Sequence, residues 1–151
     1  MADILHLIII RAPRERAYQA LNSAAEVRNW WTRDADLDSK VGGQGEFRFA
    51  GGARVTKVRV DKLEPPGRVA WKVLAAPIPS WLDTTINFEL RADSDGTTLS
   101  FAHRGFKEAD DMFAYSATAW GCFLISLKEY LETGQGTPHP DDALSRVAKP
   151  N

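Results

Sequence analysis

An apolar stripe of helical period runs through residues 110–133, where Phe113, Ala117, Trp120, Leu124, Leu127 and Leu131 recur at spacings of four and three. Lys128, Glu129 and Glu132 fall on the opposite side, and Gly134 supplies the glycine that commonly closes a helix. A helix of about 24 residues is about 36 Å long at 1.5 Å per residue, enough to lie across a whole domain. No other segment has helical period over such a length. The long apolar segments before it have period two, so the chain must lay a sheet against this one helix.

The period-two region begins after Gly42-Gly43-Gln44-Gly45 and reaches about residue 104. Phe47 and Phe49 alternate with Glu46 and Arg48, Val58 and Val60 with Lys57 and Arg59, and Val69, Trp71 and Val73 with Ala70 and Lys72. Ile86, Phe88 and Leu90 alternate with Asn87 and Glu89, and Leu99, Phe101 and His103 with Ser100 and Ala102. Each reads as a strand with one wet and one buried face. Gly51-Gly52, Pro65-Pro66-Gly67, residues 77–79 and residues 93–96 supply the turns. Short links between consecutive strands predict an antiparallel meander.

Residues 4–10 are rich in β-branched side chains and stop at Ala12-Pro13, a further strand. PRERAYQAL then predicts a short helix, with proline suited to the first turn. AAEVRNWW predicts a second, where Ser23 and Glu26 have the spacing of a capping box. The segment between this helix and Gly42 reads as a polar loop. Residues 135–151 contain Pro138, Pro140 and Pro150 and little apolar content, so they read as a surface-laid or partly disordered tail on a single domain of residues 1–134. The class is α+β.

A chain of 151 residues buries roughly 70% of its unfolded surface and needs no staples. Nineteen basic residues against 20 acidic ones lack the excess that a general nucleic-acid or anionic-membrane binder requires. The single cysteine, Cys122, has no internal partner and reads as a packing residue. The N-terminus has no basic region followed by a small-residue cleavage site, and no apolar run approaches the roughly 20 residues of a membrane span. A cytoplasmic location is expected.

One apolar sheet face covered by one helix encloses an aromatic interior. Large rings on a bent sheet leave gaps that a straight helix cannot fill, which is where ligand pockets form; the alternative is a dry aromatic core. The candidate ligand-binding residues are Trp30, Trp31, Phe47, Phe49, Trp71, Trp81, Phe88, Phe101, His103, Phe113, Trp120, Phe123 and Leu124. His103 is either a polar contact and acid or base for a ligand, or a structural histidine bonded to the backbone. Trp30 and Trp31 either rim the mouth of a cavity or staple the short helices to the sheet, and Trp81 is a second mouth residue or a loop anchor. His6, His103 and His139 are too dispersed to make a metal site, no serine has a base at a motif spacing, and the glycine-rich turn lacks the lysine of a phosphate loop. No metal, nucleotide or other cofactor is expected.

WGCFLISLKEYLETGQGTPHP, residues 120–140, resembles the C-terminal signature of bacterial START-like (SRPBCC) proteins related to the activator of the heat-shock-protein-90 ATPase. IIIRAPRERAYQAL, VRNWWT, VDKLEPPGRVAWKV and LSFAHRGF agree in order and spacing. The resemblance implies a helix-grip fold, in which six or seven bent antiparallel strands grip the C-terminal helix around a hydrophobic cavity. For function it implies a small hydrophobic or aromatic ligand, with a polyketide cyclase or dehydratase-like enzyme and a chaperone-activating module as alternatives. The eukaryotic co-chaperone reaches its partner through a separate N-terminal domain with no counterpart before Met1, which ranks the chaperone partner last. Exposed edges of an open sheet are compatible with a homodimer.

Overall fold

The computed structural model describes residues 1–148. The first strand, β1 (Ala2–Ile10), is followed by helices α1 (Arg14–Leu21) and α2 (Ala24–Val27), and then by β2 (Asp34–Leu37) and β3 (Gln44–Phe49). Strands β4 (Arg54–Glu64), β5 (Arg68–Ala75), β6 (Thr85–Asp93) and β7 (Gly96–Phe106) complete the sheet, and helices α3 (Asp111–Thr133) and α4 (Ala143–Ala148) close the chain. The seven strands are antiparallel in the order β1-β7-β6-β5-β4-β3-β2, so the meander runs unbroken from β2 to β7 and β1 joins beside the last strand. This is the α+β helix-grip arrangement, an open bent sheet holding one long helix.

Local chemistry sets the element ends. The Asp110 carboxylate accepts from Phe113 N at 2.9 Å and starts α3. Gly134, at φ 87°, ends it by donating its N–H to the Tyr130 carbonyl at 2.8 Å. At the β6–β7 turn Gly96 has φ 138°, and a Cβ there would stand 2.5 Å from the Ile10 carbonyl, so the turn and the end of β1 can meet only over glycine.

Four local readings are revised. The supposed polar loop contains β2, a four-residue strand paired with β3 and held by Arg48, which bonds Asp34 and Asp36 at 2.6 Å each. Arg48, expected to be solvated, is therefore a cross-strand tie. The capping box is half formed: Ser23 Oγ accepts from Glu26 N, while the Glu26 carboxylate turns to Arg16 and the Tyr130 hydroxyl, tying both short helices to α3. The segment after Gly134, read as a surface-laid tail, is docked as far as residue 145. Thr137 N donates to Ser126 Oγ at 2.8 Å, His139 N to the Trp31 carbonyl at 2.8 Å, and Leu144 packs on the core. Its polar, proline-rich composition is that of a strap bonded through its backbone. Lys149, Pro150 and Asn151, which that tail included, lie outside the described residues.

Candidate functional site

Rings from four elements meet beneath α3. Trp31 follows α2 and stacks on Trp71 of β5 at 6.2 Å and 5°, with Phe47 at 4.4 Å and Trp120 at 5.1 Å. Such pairs add about 0.5–1.5 kcal/mol each beyond area burial. Trp30 donates its indole N–H to the Ala20 carbonyl at 2.9 Å and is fully buried. Phe88, Phe101 and Trp120 close a second ring cluster, with Phe101 and Trp120 centroids 4.5 Å apart. Trp30, Phe47, Trp71, Phe88, Phe101, Trp120 and Leu124 lie in this packed interior, and Phe113 sits half-buried against Phe106.

His103 lies at its polar centre with no exposed surface. Trp120 donates its indole N–H to Nδ1 at 3.0 Å, so Nδ1 is the unprotonated nitrogen and the Nε2–H meets Thr84 Oγ1 at 2.7 Å. Thr84 donates in turn to the Trp81 carbonyl, and Trp81 sends its indole N–H to Ser116 Oγ at 2.8 Å. Burial pushes the His103 pKa down to about 3, so the imidazole is neutral. Both nitrogens are engaged, and His103 is not among the residues that line the pocket walled by Trp81. Through Thr84 it positions Trp81.

Trp81 is one wall of a pocket of about 690 Å³ between the β3–β4 end of the sheet, the N-terminal half of α3 and the docked C-terminal segment. Of the residues singled out in the sequence, Trp31, Phe49, Trp81 and Phe123 line it. Ile78, Met112, Tyr115 and Ala119 extend the apolar wall, Thr56 and Arg54 contribute from β4, and His139, Pro140, Asp142, Leu144 and Ser145 come from the C-terminal segment. The α3 residues among these escape the sequence reading because they sit at the margin of the stripe. The C-terminal ones escape it because only their docking buries them. Residues 135–145 carry no apolar period that would signal their burial.

The polar groups of the pocket have a definite order. His139 Nε2 accepts from the Ala50 N–H at 3.1 Å, so its proton is on Nδ1, 2.9 Å from Ser145 Oγ. Asp142 accepts from Ser145 N through Oδ2 at 3.0 Å, and its Oδ1 stands 3.5 Å from the same Nδ1. Serine, histidine and aspartate thus occur together, but the serine and the carboxylate share one imidazole nitrogen and the other is taken by the backbone. That is not the relay order of an acyl-transfer triad. Asp142 Oδ1 and the indole N–H of Trp31 are buried without hydrogen-bond partners among the described residues. Among the described residues no group of His, Cys, Asp and Glu could hold a metal ion, and no helix is long and apolar enough to cross a membrane.

A sheet gripping one helix, with an aromatic pocket at its end, defines a START-like protein. The family model for Activator of Hsp90 ATPase homolog 1-like proteins matches residues 11–132, and the chain belongs to that family. The Aha1 dimer from Colwellia psychrerythraea, a solution structure, is 37% identical, with a TM-score of 0.81 over 90% of this chain and 100% of that one. Protein MLL2253 from Mesorhizobium loti is 22% identical, with a TM-score of 0.77 over 86% and 96% of the two chains. DynU16, described as a putative protein in the dynemicin biosynthetic locus, is 21% identical, with a TM-score of 0.71 over 89% of this chain and 48% of its own. These last two share the fold. A search of curated proteins finds no match.

Proposed function

We propose that the protein binds a small, largely aromatic or hydrophobic molecule in the pocket walled by Trp31, Phe49, Trp81 and Phe123. The observation that carries this reading is the coincidence of about 690 Å³ of aromatic-walled space with a buried carboxylate oxygen on Asp142 that has no hydrogen-bond donor among the described residues. Apolar walls with a few fixed polar groups are what ligand sites have in common, and burying such an oxygen without a donor is costly. The favoured ligand is a ring system bearing an N–H or O–H group that reaches Asp142. Native mass spectrometry of protein purified from its own host, with titration by an environment-sensitive dye, tests it. Ala119→Trp, which fills the pocket from α3, is expected to abolish uptake while the circular dichroism stays unchanged. A protein that arrives empty and takes up no dye overturns the reading.

Two further readings draw on the relatives. Family membership makes stimulation of the Hsp90-type chaperone ATPase an alternative, checked by an ATPase assay with the chaperone from the same host. A cyclase- or dehydratase-like activity would have to use the groups at the pocket wall, His139 and Asp142, because His103 is engaged on both nitrogens. The C. psychrerythraea protein also supports reading this chain as a homodimer.

A further inference from the structure

The outer face of β1 is apolar where an edge strand's solvent face is ordinarily polar. Leu5, Leu7 and Ile9 point away from the core and are 64%, 63% and 56% exposed. They form a ridge, and beside it their β7 partners Ala102 and Ser100 are small, which leaves a hollow of about 420 Å³ rimmed by Arg68, Asn87, Glu89 and Arg104. Ridge and hollow lie side by side on one face.

We propose that a second copy of this chain packs on this face, about a two-fold axis passing beside Leu7; the inference rests on the homodimer reading and assigns its surface. Antiparallel packing about Leu7 sets Leu5 against the partner's Ile9 and lays each ridge in the other copy's hollow. The same register brings Asp3, whose carboxylate accepts from Arg104 Nη1 at 2.9 Å and Gly105 N at 3.1 Å in its own chain, toward the partner's Arg11 as a second cation. Asp3, Leu5, Leu7, Ile9 and Arg11 are all exposed at alternate positions, so a strip with one acid end and one basic end meets its own inverse. This is the self-complementarity that an isologous interface requires.

The contact is made by the face of the sheet. Lys128 Nζ donates to the outward-directed Ile9 carbonyl at 2.6 Å, which occupies the open edge of β1 and blocks addition of another strand there.

Sedimentation of the wild type over a range of concentrations, beside Leu7→Asp, tests the assignment. Leu7→Asp brings two carboxylates together at the axis and is expected to weaken dimerisation by on the order of 100-fold. Because Leu7 is exposed, the variant should keep its circular dichroism and its dye uptake. In a Cys122→Ala background, Leu7→Cys should oxidise to a covalent dimer by itself, whereas Leu5→Cys should do so only when mixed with Ile9→Cys. A wild type that stays monomeric at every concentration overturns the dimer and with it this surface. A dimeric wild type whose Leu7→Asp variant is equally dimeric, or whose Leu7→Cys variant does not cross-link, overturns the surface alone.

Discussion

A neutral imidazole sealed among indoles gives the protein an acid-sensitive point far from any solvent. The His103 pKa is near 3 when folded and near 6.5 when unfolded, so below pH 6.5 the unfolded chain binds a proton that the folded one refuses. The His103 contribution is complete above pH 6.5 and is lost as the pH falls from there toward 3. Between pH 6.5 and 4.5 it should remove roughly 2 kcal/mol. Urea unfolding across that range, wild type against His103→Gln, checks this: the wild-type stability should fall more steeply, and parallel profiles would refute it. Gly136 is the second critical residue. A Cβ there would lie 2.5 Å from the Asn29 carbonyl and 2.9 Å from that of Ser126. Gly136→Ala must therefore push the C-terminal segment outward at a cost of about 1–3 kcal/mol. The measurable signs are a lower unfolding midpoint and weaker dye binding.

Among the elements, those with a sustained period could be read and those held by pairing or docking could not. α3 and the strands around Phe47, Val58, Trp71, Phe88 and Phe101 carry enough alternating or helical positions to declare both their type and their buried face. β2 offers four residues, with Ala35 alone fully buried, and exists because β3 and Arg48 are beside it. The site divides along the same line. Trp31, Phe49, Trp81 and Phe123 were visible as large rings in patterned segments, whereas His139 and Asp142 acquire their setting only when residues 135–145 dock. Pattern likewise cannot separate a ring that packs, such as Phe88, from one that faces open space, such as Phe49. Ser126 is the clasp nearest the end of α3: its Oγ donates to the Trp30 carbonyl at 2.7 Å and accepts from Thr137 N. Ser126→Ala leaves both buried groups unpaired and should cost about 1–3 kcal/mol. Hydrogen exchange of the Thr137 and His139 amides should accelerate well before that of the sheet, and uniform acceleration would contradict the assignment.

For the molecule as a whole, the aromatic interior is continuous from Trp30 to Phe106, and the pocket opens where the helix grip ends. A ligand that binds only the folded state stabilises it by an amount that grows with the logarithm of its concentration above Kd, about 2.7 kcal/mol at a hundredfold excess. Thermal unfolding with a small panel of aromatic amines and phenols should thus show a rising midpoint for compounds that fit, and Ala119→Trp should remove that rise. The wall that completes the pocket is the last described part of the chain, while the apolar ridge belongs to the first strand. The two chain ends accordingly report on different properties. If the pocket takes up the proposed ligand, an affinity tag fused close behind Ser145 adjoins the pocket wall and is expected to alter how quickly that ligand enters and leaves. One fused ahead of β1 lies beside the ridge and is expected to register in the proposed self-association instead, so the choice of tagged end decides which behaviour a purified sample reveals.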